Sequence, residues 1–319
     1  MSYAELRQHA QRIEELAFET AIKQLRIEML PSGRYIAPDS SPISDEFVEL
    51  VREQNSGIAA MFEPFLDLPD PASLALMHEQ LMEAAQALAS GPNGSIDPVH
   101  GLKFVASGEM NKIDHVKTTL REWRGGGAEV FKASFLEPFT DVVGNHFSLV
   151  ATLMAAIKAE EILWEECRKN LDELAHEAIN AFDSMGDHGS ASAVILLSLA
   201  SSIVSVGAAI TTGGASAALT AVGAATQVAG TVVDKMPAEE APAIRLDAKT
   251  PYELRQQILE GLYEIAFHVL RKEQQIADAM IMSSETVARM RTDFVSPRPT
   301  LADLSRRTIL TDQGLGHNA

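Results

Sequence analysis

The residues of this chain that could do chemistry are few, and they gather on one predicted helix. Glu173 and His176 form a Glu-x-x-His pair, which puts a carboxylate and an imidazole on one helix face, as in the di-iron sites of helical bundles. Such a site needs a second copy of the pair and two further glutamates, and the sequence has no second copy. A solvated acidic face is therefore the simpler interpretation; its other members are Glu165, Glu166 and Glu177.

Cys167 is the single cysteine of the sequence, so the chain can form neither an internal disulfide nor a zinc site built on cysteines. It falls on the apolar face of the same predicted helix, where a small core residue is expected. Trp164 precedes it by one turn and is interpreted as packing. We find no glycine-rich phosphate loop and no serine nucleophile elbow. The sequence therefore predicts a protein that is not an enzyme and needs no cofactor or metal.

The elements that position these residues are predicted to be helices. Apolar residues recur every three or four positions from Tyr3 onward, and no strand alternation of useful length is recognised. The longest pattern runs from Gly127 to Met185, with kinks expected at Pro138 and Gly144. A last long helix follows over 251–294. The predicted fold class is all-α: an elongated bundle of long antiparallel helices with a small-residue-rich apolar helical hairpin.

Local signals predict where helices begin and end. Ser44 is a good N-cap for a helix whose apolar residues run from Phe47 to Met61, and Asp70-Pro71 begins another. Residues 95–108 predict a loop with a short strand or turn. The resulting organisation has five segments: 1–108, N-terminal helices and loop; 109–187, a helical hairpin with a long second helix; 188–236, an apolar hairpin rich in Gly and Ala; 237–294, a linker and long helix; and 295–319, a flexible tail.

The stretch from Gly189 to Val233 contains no charged residue, in a chain whose formal net charge is -18. It divides into apolar segments 191–211 and 215–233, each about as long as a bilayer's hydrocarbon core is thick. Small residues at the turn and along one stripe permit close helix packing or membrane contact: Gly213, Gly214, Ala217, Ala221, Ala225 and Ala229. Three interpretations stay open: a hairpin buried by protein, a hairpin that enters a membrane, and a Gly/Ala-rich linker of low order.

Charge restricts the partners that this chain can attract. Lysine and arginine number 26 against 44 aspartates and glutamates, which disfavours nucleic acid and anionic lipid as electrostatic partners. The N-terminal residues lack the apolar core of a cleavable secretory signal. We therefore expect a homo-oligomer or a helical protein partner, membrane contact only through 191–233, and any export by another route.

One motif brings a family resemblance. Trp123-Arg124-Gly125 joins two predicted amphipathic helices and is followed by Gly126, Gly127, Ala128 and Phe131. This resembles the Trp-X-Gly hairpin of ESX-type proteins, which type VII secretion systems of actinobacteria and firmicutes export. The resemblance covers Glu109 to Phe182, and longer members of that class have a similar Gly/Ala-rich apolar segment.

The resemblance implies antiparallel helices around the Trp-X-Gly turn and pairing into four-helix bundles. It implies a cytoplasmic protein that is later secreted or held at the cell envelope, acting by self-assembly or partner binding. Such substrates usually have a Tyr-x-x-x-Asp/Glu signal after the hairpin, which this chain lacks: Tyr252 and Tyr263 are followed by Gln256 and Phe267. Only Tyr35 with Asp39 matches, in a loop before the hairpin.

Two other classes remain. A long helix, an apolar tongue and a second long helix are also the architecture of α-helical pore-forming toxins, whose tongue inserts into membranes. The third class is a cytoplasmic structural or phage-derived helical protein. Liposome binding and oligomer size are the observations that would separate these classes.

Overall fold

The computed structural model describes residues 2–91, 93–97, 99, 101–188, 190–196 and 243–296. It is 72% helical and 8% strand, which confirms the predicted all-α class. The helices of this part are α1 (Leu6–Gln24), α2 (Asp45–Gln54), α3 (Ile58–Phe62), α4 (Pro71–Leu88), α5 (Gly108–Thr119), α6 (Gly126–Phe131), α7 (Phe139–His188), α8 (Pro251–Arg289) and α9 (Arg291–Phe294). The strands are β1 (Glu28–Met29), β2 (Tyr35–Ile36), β3 (Ser95–Ile96), β4 (Lys103–Phe104), β5 (Ala191–Leu196) and β6 (Ala243–Ala248).

Three antiparallel pairs account for these strands: β1 with β2, β3 with β4, and β5 with β6. The chain divides into two compact units that each draw on separate stretches. The first comprises Met1–Pro71, Ile162–Ser202 and Ala238–Glu273, and the second comprises Ala72–Glu161, Ile203–Pro237 and Gln274–Ala319. The helices α7 and α8 contribute residues to both units.

In the first unit, α1 and α8 pack on the second half of α7. His9 lies 3.6 Å from Asp172, and the Thr20 hydroxyl donates to the Phe182 carbonyl at 3.3 Å, so α1 runs parallel to α7. A Cβ on Gly261 of α8 would lie 3.3 Å from Leu174 Cδ1. The apolar faces predicted from the spacing form this core; its members include Leu6, Ile13, Leu163, Leu171, Leu174, Phe182, Leu254 and Ile258.

The second unit has its own apolar cluster. The rings of Phe104 and Phe147 meet edge to face with centroids 5.4 Å apart, beside buried Ala85, Ala89 and Met154. β3 and β4 lie in 95–108, where the sequence predicted a loop with a short strand or turn. Burying the aromatic pair on α4 and the first half of α7 organises this unit.

Local start signals agree with the structure at two helices, and one helix is shorter than predicted. The Ser44 hydroxyl accepts from the Phe47 N–H at 3.3 Å as the N-cap of α2, and α4 begins at Pro71. The predicted single helix that includes both Phe47 and Met61 is wrong, because α2 ends at Gln54 and Met61 lies in α3. Gly57, with φ of 84°, reverses the chain before α3.

The prediction that no strand alternation is present is wrong at β5 and β6. These strands pair antiparallel in six-residue register, from Ala191 with Ala248 to Leu196 with Ala243. The first residues of the predicted helix 191–211 are therefore a strand, and the predicted linker that begins the 237–294 segment contains another. Pairing satisfies the backbone groups of both while β6 alternates exposed and buried side chains.

The remaining predictions about the apolar segment lie outside the described residues. These include the helices beyond Leu196 and the small residues Gly213, Gly214, Ala217, Ala221, Ala225 and Ala229. The tail beyond residue 296 lies outside them too. Just before Pro138, where the sequence predicted a kink, the helical hydrogen-bond pattern changes: a π-helical turn occupies Lys132–Leu136, and α7 begins at Phe139. Gly144 lies inside α7, where the helix continues.

Candidate functional site

The Trp123-Arg124-Gly125 motif lies where one helix ends and the next begins. After α5, a 3-10 turn over Leu120–Glu122 leads into Trp123, whose backbone is extended with φ of -66° and ψ of 123°. Gly125 follows with φ of 110°, a region that side chains with a Cβ rarely adopt. Gly125 therefore makes the break, and glycine is required there for a steric reason.

Gly126 and Gly127 have a different role from the one the sequence suggested. A run of three glycines usually breaks a helix, but α6 begins at Gly126, and only Gly125 of the three has a positive φ. The Glu129 N–H bonds to the Gly125 carbonyl at 3.0 Å, as in a first helical turn. Gly127 and Ala128 are buried. These small residues allow close packing of the first turn of α6 rather than the reversal itself.

An aromatic row begins at the Trp123 indole, which packs edge to face on Phe131 with ring centroids 5.8 Å apart. Phe131 stacks on Phe135 at 5.3 Å, and Phe135 lies 5.7 Å from Phe139. Trp123 remains 40% exposed and Phe135 36% exposed. The row thus offers partly exposed apolar rings beside the reversal, held in fixed order by their mutual contacts.

Lys132 fastens the reversal and was missed by the sequence reasoning. Its Nζ donates to the carbonyl oxygen of Trp123 and, at 3.3 Å, to that of Arg121. It also lies 3.5 Å from a carboxylate oxygen of Glu129. Carbonyls at a helix end lack partners within the helix, so an ammonium group there supplies both hydrogen bonds and favourable charge. A lysine nine residues after the tryptophan is a weak signal in sequence.

Further along, Lys117 of α5 reaches α7, its Nζ donating to the Thr140 hydroxyl at 3.1 Å. Lys117 lies before Gly125 in the chain, and Thr140 lies after it. Lys117 and Thr140 are thus within hydrogen-bonding reach of each other on either side of the break at Gly125.

A second arrangement joins the ends of the apolar segment. β5 and β6 bring Leu196 opposite Ala243, so the chain leaves and re-enters the described structure at one place. β6 lies on α8, where a Cβ on Gly261 would approach Ile244 Cγ2 to 3.0 Å. Gln257 donates to the Asp247 carbonyl at 2.7 Å. The alternation of Ile244, Leu246 and Ala248 with polar neighbours was the available sequence signal.

Hydrogen bonds from side chains cap the start of α8, directly after β6. The Thr250 hydroxyl accepts from the Glu253 N–H at 3.2 Å, and the Glu253 carboxylate accepts from the Lys249 and Thr250 N–H groups at 2.8 and 3.3 Å. This is a capping box, in which side chains satisfy the free N–H groups of the helix start. Strand and helix are thereby held as one unit of chain.

The other chemical candidates of the sequence do not assemble into a reactive site within the described ranges. Glu165 and Glu173 are exposed on α7, whereas Glu166, His176 and Glu177 are half-buried there. The described residues hold no group of three or more His, Cys, Asp or Glu able to bind a metal. Cys167 is buried, which confirms its predicted place in the core. Burial raises the pKa of its thiol to about 12, so it stays protonated at neutral pH.

Within the described residues, one helical stretch, Gly126–Gly186, is long and apolar enough to cross a membrane, and 44% of its most apolar window is buried. A core helix of a soluble protein meets the same criterion, so this carries little weight alone. No family model matches the chain, and no curated protein or solved structure is similar enough to count as a match.

Proposed function

We propose that this chain is a non-enzymatic helical protein that binds other helical proteins at the cell envelope, in the manner of ESX-type substrates of type VII secretion. The observation that supports this best is the helix break at Trp123-Arg124-Gly125. Gly125 has the backbone angle that favours glycine, and the indole packs on Phe131 while remaining partly exposed. Both residues lie at the break between two helices, which is the place that the Trp-X-Gly resemblance implies for them.

The surface beside the reversal suits a helical partner. Partly exposed rings of Trp123 and Phe135 offer apolar contacts of the type that dominates protein interfaces. The net charge of -18 favours a basic or weakly charged partner over nucleic acid. Aromatic rings that are already ordered lose little conformational entropy on binding, so a small contact area can still give a favourable binding free energy.

Export in this proposal depends on a partner's signal. The Tyr35 to Asp39 match lies in β2 and the turn after it, where the Asp39 carboxylate accepts from the Ser41 N–H at 3.0 Å and from its hydroxyl at 2.6 Å. These hydrogen bonds from Ser41 hold the pKa of the Asp39 carboxyl below its usual value. Because the carboxylate is used within its own turn, we assign no export role to this match.

Secretion in the natural host tests the proposal. The tagged full chain is expressed with and without the ATPase of the type VII system, and the culture filtrate is compared with the cell pellet. We expect Trp123→Ala to reduce the filtrate signal at least tenfold while the cell pellet retains folded protein. Arg124→Ala is the matched control, since Arg124 is the exposed middle residue of the motif. Secretion that is equal without the ATPase contradicts the proposal.

A second candidate function is membrane insertion of the apolar segment, as in α-helical pore-forming toxins. The observation that favours it is the β5–β6 pair, which brings the two ends of residues 197–242 together on α8. A segment tied at its base can enter a membrane as one hairpin while the helices stay outside. Residues 197–242 themselves lie outside the described structure.

Dye release from neutral phosphatidylcholine vesicles tests this candidate. Neutral lipid is chosen because the acidic chain is repelled by anionic lipid. Ala221→Glu or Ala225→Glu should abolish release, since a carboxylate in hydrocarbon is strongly unfavourable. Ser192→Glu adds the same charge on the exposed side of β5 and serves as control. The absence of release by the wild-type chain at any protein-to-lipid ratio rejects the candidate.

A further inference from the structure

The first half of α8 has two apolar faces, only one of which is buried. Leu254, Ile258 and Ile265 face the core and have no exposed surface. A second row, called here the outer stripe, consists of residues that are 60% to 65% exposed: Tyr252, Tyr263, Phe267 and Leu270. Tyr263, Phe267 and Leu270 are spaced by four and three residues, which places them on one helix face.

The outer stripe is larger than scattered surface residues require. An aromatic side chain carries about 150 to 250 Å² of buriable surface, so the four side chains present roughly 400 to 500 Å². The largest apolar patch on a typical monomer is of about this size and is often functional. Two such patches together bury roughly 1,000 Å², the size of a weak and reversible protein interface.

Charges beside the stripe indicate which occupant fits. Glu260, Glu264 and Arg271 are exposed on one flank, with the glutamates before Phe267 and the arginine after it. In an antiparallel pair of identical helices that cross near Phe267, Glu264 of each copy lies level with Arg271 of the other. In a parallel pair this flank would instead face the opposite flank of the other copy, so Glu264 would not meet Arg271. The flank is therefore complementary to itself only in the antiparallel arrangement.

A membrane surface fits the stripe less well. Interfacial helices generally place lysine and arginine beside their apolar face, whereas Glu253, Glu260 and Glu264 lie beside this one. The overall charge of -18 also opposes self-association at long range. At physiological salt, charges more than about 8 Å apart are largely screened, so the close Glu264–Arg271 contacts decide.

We propose that the outer stripe of α8 binds a second copy of this chain, forming an antiparallel two-fold dimer in which Glu264 of each protomer pairs with Arg271 of the other. This dimer goes beyond the partner binding proposed for the Trp123 reversal and involves a different surface. An interface of this modest area is typical of weak and reversible association. Association therefore depends on local protein concentration.

Reciprocal charge reversal of the full chain tests this geometry. Glu264→Arg places two arginines against each other at both contacts, and Arg271→Glu places two glutamates there. Each variant alone should dimerise at least tenfold more weakly than wild type in sedimentation velocity at 0.15 M salt. An equimolar mixture of the two should recover wild-type affinity as a heterodimer, because both contacts then join opposite charges. The double variant should dimerise with itself.

Three further variants complete the experiment. Phe267→Glu should abolish dimerisation, Glu28→Arg, a charge reversal on the exposed strand β1, should leave it unchanged, and Trp123→Ala should also leave it unchanged. The last result separates this dimer from the proposed function, whose failure would appear in secretion alone. A monomeric wild type at about 100 µM overturns the proposal. In that case a lower melting temperature for Phe267→Glu would indicate cover by residues 197–242, and vesicle binding would indicate lipid.

Recovery of affinity is the decisive outcome. If the mixture of Glu264→Arg and Arg271→Glu stays as weak as either variant alone, the antiparallel pairing is wrong even if the wild type dimerises. If each single variant dimerises like wild type, the flank does not contribute and the proposed interface is rejected.

Discussion

The reversal at Trp123 and the β5–β6 ribbon both redirect the chain between helices, but they do so by different means. At the reversal, the determinants lie within ten residues: Gly125 supplies the backbone angle, and Phe131 and Lys132 supply the contacts. The ribbon joins Leu196 to Ala243 across a long stretch of chain. The break at Gly125 therefore depends on residues within one short motif, whereas the β5–β6 ribbon depends on residues that are far apart in the sequence.

The largest expected effect separates the two regions by burial. Leu246→Ala in β6 removes a side chain with no exposed surface and should lower the free energy of unfolding by about 2 to 5 kcal/mol. Arg245→Ala, on the exposed side of the same strand, is the control and should change it by less than about 0.5 kcal/mol. Chemical denaturation measures both. Equal effects would mean that β6 does not bury its alternate side chains.

A smaller effect is expected at the reversal. Gly125→Val forces a β-branched residue to a φ of 110° and should lower the free energy of unfolding by about 1 to 3 kcal/mol. Gly126→Ala is the control, because Gly126 begins α6 without a positive φ, and this change should alter the free energy of unfolding by less than about 0.5 kcal/mol. An unchanged free energy of unfolding for Gly125→Val would mean that the break before α6 does not depend on glycine at this position.

The cap that follows the ribbon sharpens the comparison further. Thr250→Ala removes the hydroxyl that accepts from the Glu253 N–H and should cost about 1 kcal/mol of unfolding free energy. Thr286→Ala removes a hydroxyl that bonds only within α8, donating to the Met282 carbonyl and accepting from the Arg289 guanidinium, and should cost less. Thermal melting of the pair is sufficient. A larger loss for Thr286→Ala would show that the cap does not hold the start of α8.

The smallest effect concerns Lys132, which satisfies two carbonyls at the reversal. Lys132→Met keeps the aliphatic chain and removes the donors, so a loss of about 0.5 to 1.5 kcal/mol is expected. Lys112→Met removes an exposed ion pair with Glu109 and should cost less than about 0.5 kcal/mol. Indole fluorescence would report the local change, since Lys132, unlike Lys112, contacts the Trp123 backbone. Equal losses of unfolding free energy in the two variants would mean that the hydrogen bonds of Lys132 contribute no more than an exposed ion pair.

What the sequence could predict follows the same division. Helix class, the N-cap at Ser44, the start at Pro71 and the break before α6 depend on neighbours within a few residues, and all appear in the structure. The break at Gly57 was missed because apolar spacing continued across it.

The strand β5 was missed for a different reason. Ala191–Leu196 opens an apolar stretch that fits a helix equally well, and its partner β6 lies far along the chain. Periodicity cannot separate a short buried strand from a helix segment when the partner is distant. Lys132 escaped notice because a lysine's role depends on which carbonyls lie within reach, and that depends on the folded turn.

The burial of Cys167 gives the molecule an intrinsic chemical clock. As the one thiol in the chain, 1% exposed on α7 and protonated at neutral pH, it can react with a thiol reagent only when the surrounding core opens. When opening is rapid compared with labelling, each 1.4 kcal/mol of opening free energy slows the reaction about tenfold. The unmodified protein therefore reports the opening of its own first unit in solution, with a partner, or on a vesicle, through the rate at which a single sulfur atom is labelled.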